Sequence, residues 1–81
     1  MTALEFTKKN CGNNLLRYHQ RTIDLMECVE ETLTIDDGLP LEHRKGACHY
    51  DIEVELEVMD KELPDYKFLQ EALADLELIT E

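Results

Sequence analysis

The sequence predicts an α+β domain in the order β-α-β-β-α, a small antiparallel sheet covered on one face by two helices. Two observations carry that expectation. Between residues 51 and 58, Asp51, Glu53, Glu55 and Glu57 alternate strictly with Ile52, Val54, Leu56 and Val58. Successive side chains of a strand point to opposite faces, so the pattern sorts four carboxylates from four branched aliphatics. A helix would instead set Asp51 against Glu55 and Glu53 against Glu57, two like-charge pairs one turn apart. The second observation is two stretches of helical period, 13–31 and 65–79, separated by short segments. These suit hairpin-type neighbours better than the crossovers of a parallel sheet. The alternative is an all-helical bundle, in which a helix runs from Pro40 through Met59 with Ile52, Leu56, Met59 and Leu63 as its stripe.

In chain order, Leu4 and Phe6 alternate in a short strand over 3–7. The run Asn10-Cys11-Gly12-Asn13-Asn14 has turn chemistry, and Asn13 is a candidate N-cap. Leu15, Leu16, His19, Ile23, Met26 and Val29 then recur at steps of three and four, predicting a helix to about Glu31. Thr32 to Ile35 is rich in β-branched residues and reads as a strand, broken by Asp36-Asp37-Gly38 with Pro40 close behind. A connection over 36–48 leads into the alternating strand, with Gly46 arguing against a helix there. After a second connection from Met59 to Pro64, Asp65 is expected to cap a helix with the stripe Phe68, Leu69, Ala72, Leu73, Leu76 and Ile79.

A chain of 81 residues has room for one domain, here 1–81. At this size folding buries only about 60–65% of the unfolded chain's surface, so a homodimer packed through its helices is expected to cover what remains. Hydrophobic residues make up 43% of the sequence, enough to fold despite its charge. No apolar run approaches the roughly 18 residues of a membrane span, and the opening residues lack a basic-then-apolar order; no membrane association and a cytoplasmic location are expected. Cys11, Cys28 and Cys48 have no repeated spacing, which suits reduced thiols.

The net charge of −11 is unevenly spread. Residues 1–22 carry Lys8, Lys9, Arg17 and Arg21 against Glu5 alone, a net +3. The remainder carries Arg44, Lys45, Lys61 and Lys67 against eighteen acids, a net −14. Such a surface repels nucleic acid and anionic membrane and is drawn to basic proteins.

No phosphate loop, catalytic triad or paired metal-ligand spacing is present. His43, Cys48 and His49, with Cys11, His19 or Cys28, lack the two- to four-residue spacing of zinc ligands. Cys48 and His49, adjacent in an extended chain, would point apart and could not work as nucleophile and base. The expectation is a non-enzyme without metal or cofactor. Asp51, Glu53, Glu55 and Glu57 form the candidate partner-binding row, able to occupy a basic protein surface and to inhibit a nucleic-acid-binding protein by charge mimicry. Arg44 and Lys45 form a second candidate contact in the connection. The competing reading is a nucleic-acid-binding regulator using the basic segment 8–21.

Overall fold

A computed structural model describes residues 1–35 and 38–80, and within them the chain is all helical. The helices are α1 (Ala3–Asn10), α2 (Gln20–Thr34), α3 (Leu41–Val58) and α4 (Pro64–Glu77), with a 3-10 segment, Gly12–Arg17, between α1 and α2. The expected sheet is therefore overturned in favour of the helical alternative. The break predicted at Asp36 and Asp37 lies outside the described residues. No helix among the described residues is long and apolar enough to cross a membrane.

Each expected strand gives way for a local reason. At 3–7, Thr2 and Glu5 form a reciprocal capping box: Thr2 Oγ1 accepts from the Glu5 N–H at 3.1 Å, and Glu5 Oε1 accepts from the Thr2 N–H at 3.0 Å. Two satisfied donors at a helix start outweigh a two-residue alternation. The Thr2 main-chain hydrogen bond also lowers the Glu5 carboxyl below its ordinary value. At 32–35, the residues through Thr34 complete the last turn of α2, and the Ile35 N–H closes it onto the Glu31 carbonyl.

The alternating segment is the central correction. With 3–7 and 32–34 helical, a strand at 51–58 would have no partner for its N–H and C=O groups, whereas a helix satisfies them internally. The helix also buries Cys48 and Ile52 completely, with Leu41, Leu56 and Met59 packed alongside. Burying Ile52 alone contributes about 1.5–3 kcal/mol. Against it stand two like-charge pairs at about 0.2–0.5 kcal/mol each and Gly46 at about 1 kcal/mol. Packing wins.

The long helix expected over 13–31 is interrupted. Gly12, at φ +79°, turns the chain into the 3-10 segment, where Leu15 is buried and Leu16 is left exposed. Tyr18 and His19 are extended, and α2 starts at Gln20 with the stripe Thr22, Met26, Val29 and Leu33 inside. Asn13 therefore caps nothing there. What holds the break is α4. The Tyr18 ring stacks on Phe68 at 4.5 Å, and Asp65 accepts the His19 N–H at 3.0 Å and the Thr22 hydroxyl at 2.6 Å. Asp65, expected to cap its own helix, instead caps α2 from across the core.

Asp65 is 2% exposed. Burial pushes its carboxyl up, but the hydrogen bonds from Thr22 and His19 outweigh that and hold it below its ordinary value of 3.8. The α4 stripe is as expected: Phe68, Leu69, Ala72, Leu76 and Ile79 are buried and Leu73 is half-buried. The Thr80 N–H donates to the Met1 carbonyl at 3.0 Å, tying the segment after α4 to the residues before α1.

Candidate functional site

As part of α3, the four acids of the expected row no longer share a face. At about 100° per residue they divide around a helix whose inner side is Cys48, Ile52 and Leu56. Glu55 lies on the flank toward α2 and is half-buried, where Arg21 Nε pairs with its Oε2 at 2.7 Å. Glu53 lies on the flank toward α4. There the His49 ring bridges the two helices, with Nδ1 2.5 Å from Glu53 and Nε2 3.1 Å from Glu77. Asp51 and Glu57 are exposed, without an ion pair among the described residues. A straight row is thus not what these carboxylates form. They make a broad acidic surface on either side of the helix's outward face.

Arg44 and Lys45 occupy the first two turns of α3 rather than a loop, and both reach main-chain carbonyls. Arg44 Nη1 donates to Leu33 O at 2.9 Å and Ile35 O at 3.3 Å, and its Nε donates to Leu39 O at 3.1 Å. The Leu33 and Ile35 carbonyls lie at the C-terminus of α2, where a helix leaves carbonyls unpaired and a cation suits the negative end of its dipole, whereas Leu39 belongs to the connection before α3. Lys45 Nζ donates to the Ile79 carbonyl just past α4. The pair therefore fastens α3 to the ends of both its neighbours.

The basic segment 8–21 is partly neutralised. Lys9 pairs with Asp75 at 2.9 Å, an oxygen that Asn10 Nδ2 also reaches at 3.3 Å, and Arg21 is held by Glu55. Lys8 and Arg17 have no ion pair among the described residues.

Cys11 and Cys48 are buried, which pushes their thiols up to about 12 and about 11. Both are protonated at neutral pH and poor nucleophiles. Cys28 is exposed on α2. Among the described residues no group of three or more His, Cys, Asp or Glu side chains is arranged to hold a metal ion. The surface grooves hold about 230 to 400 Å³.

Sequence reasoning missed one feature of α3. Tyr50 is 68% exposed, Val54 41% and Val58 65%. Spaced four apart, these residues line the side opposite Ile52. The aliphatics Val54 and Val58, assigned with Ile52 to a buried strand face, thus face outward. The signal was present in the spacing of Tyr50, Val54 and Val58, but it emerges only once the helical period is adopted. No family model matches the chain, and neither a curated protein nor a solved structure matches it.

Proposed function

We propose that the protein is a non-catalytic binding module whose acidic α3 surface engages a basic surface on another protein. The observation that supports this most directly is the charge along 50–63, where six carboxylates, Asp51, Glu53, Glu55, Glu57, Asp60 and Glu62, stand against Lys61 alone. Two of them, Asp51 and Glu57, are exposed and unpaired among the described residues. Such a surface steers a cationic partner and sets the salt dependence of its association. A nucleic-acid partner is disfavoured because Lys9 and Arg21 are already held by Asp75 and Glu55.

The test is retention on immobilised polylysine as salt is raised. Reversing Asp51 and Glu57 to Lys should weaken retention about tenfold at low salt. Reversing the exposed Glu27 and Glu31 of α2, the same change in net charge, should weaken it much less. Equal losses would show that only net charge matters and sink the assignment to α3. Tighter retention on immobilised double-stranded DNA, lost in a Lys8→Glu, Arg17→Glu variant, would favour the nucleic-acid reading.

A further inference from the structure

Helix α3 is apolar on two sides. Its inner stripe of Leu41, Cys48, Ile52 and Leu56 is packed against the rest of the domain. Its outer stripe is Ala47, Tyr50, Val54 and Val58, at steps of three, four and four, and all four side chains are exposed. The outer stripe runs about 16 Å, roughly three turns. Asp51, Glu53 and Glu57 border it, and no lysine or arginine occurs from Gly46 to Asp60. An exposed aromatic residue aligned with branched aliphatics inside a charged border has the composition of an interface centre and its rim.

From this we infer that the outer face of α3 docks an amphipathic helix of a partner protein, one whose apolar stripe is flanked by lysines and arginines. The inference rests on the basic partner proposed above and adds the form that the partner takes. Charge complementarity selects the occupant. A second copy of this chain would bring Asp51, Glu53 and Glu57 against their own counterparts, with −11 on each molecule. A strand is poorly suited as well, since the described residues contain no sheet edge for it to extend. A helix laid along α3 can place its own ridges between Tyr50, Val54 and Val58 while its cations reach the carboxylates on both borders.

The test uses two synthetic peptides about 18 residues long, five helical turns, of identical leucine, lysine and alanine composition. One places leucine at three- and four-residue steps, and the other is scrambled so that no stripe forms. The striped peptide should bind about tenfold more tightly by fluorescence anisotropy, a difference of about 1.4 kcal/mol. A Tyr50→Ser, Val54→Ser, Val58→Ser variant, with an unchanged circular dichroism spectrum and melting temperature, should remove that difference and leave scrambled-peptide and polylysine binding intact. Equal binding of the two peptides, with polylysine retention still dependent on Asp51 and Glu57, would overturn the docked helix and leave the acidic surface standing. Loss of all cationic binding would overturn both. Sedimentation as a dimer that the triple variant converts to monomer would assign the face to a second copy and overturn the inference.

Discussion

Helices α3 and α4, of 18 and 14 residues, pack against each other, yet their apolar residues are arranged in different ways. In α4, Pro64 occupies the first turn and the stripe from Phe68 to Ile79 points only inward. One apolar face has one period, and a helix follows from it. In α3 the apolar residues fall on two opposite sides, so their helical signals cancel and a period of two is left in view. A helix that is apolar on two sides looks least like a helix when it is read alone.

The largest effect that bears on this contrast is Ile52→Ala, which should cost about 2–4 kcal/mol in chemical denaturation, as a cavity in the core does. Val58→Ala, two turns away on the same helix, should stay within about 0.5 kcal/mol. Similar losses at both positions would show that the outer face is already covered in the free protein.

Next comes the tie between α4 and α2. Asp65→Ala should cost about 2–3 kcal/mol, because it strands the buried Thr22 hydroxyl and the His19 N–H. Asp51→Ala, on the exposed surface of α3, should change little. The Asp65 carboxyl is held below its ordinary value, so its stabilisation is complete above about pH 4 and is lost as pH falls through the lowered folded value. Urea midpoints measured from pH 6 to pH 2 should therefore fall less steeply in the Asp65→Ala variant than in the parent. Parallel curves would rule out this linkage.

The two glycines give smaller effects of opposite sign. A Cβ added at Gly12 would meet nothing within 4 Å, but the positive φ there is strained for any other residue, so Gly12→Ala should cost about 1 kcal/mol. Gly46 lies inside α3 with equally open space and no such φ, and Gly46→Ala should stabilise by about 0.5–1 kcal/mol. Thermal melts read both. Destabilisation by Gly46→Ala would mean that α3 is not continuous through that position.

Much of the molecule was legible in the residues. The α4 stripe, the helical character of 20–31 and the concentration of acid after residue 22 all follow from spacing and composition. The Thr2 and Glu5 box also stood in the sequence, masked by the alternation of Leu4 and Phe6. The candidate site was half legible: its carboxylates could be named, but not the directions in which they point. Arg44 and Lys45 illustrate the limit, since the carbonyls they bind include Leu33 O of α2 and Ile79 O after α4, eleven and thirty-four residues away.

By itself the sequence determined local preference: which residues avoid water, where a cap can close, and how charge is spread. Tertiary structure decided between the two periods that 51–58 can satisfy. A strand depends on partners that the helical segments 3–7 and 32–34 do not supply. A helix keeps its hydrogen bonds within itself and needs only one side to pack. Once Ile52 and Cys48 are buried against their neighbours, Tyr50, Val54 and Val58 are turned outward by the geometry of the helix, and the surface available to a partner follows from that choice.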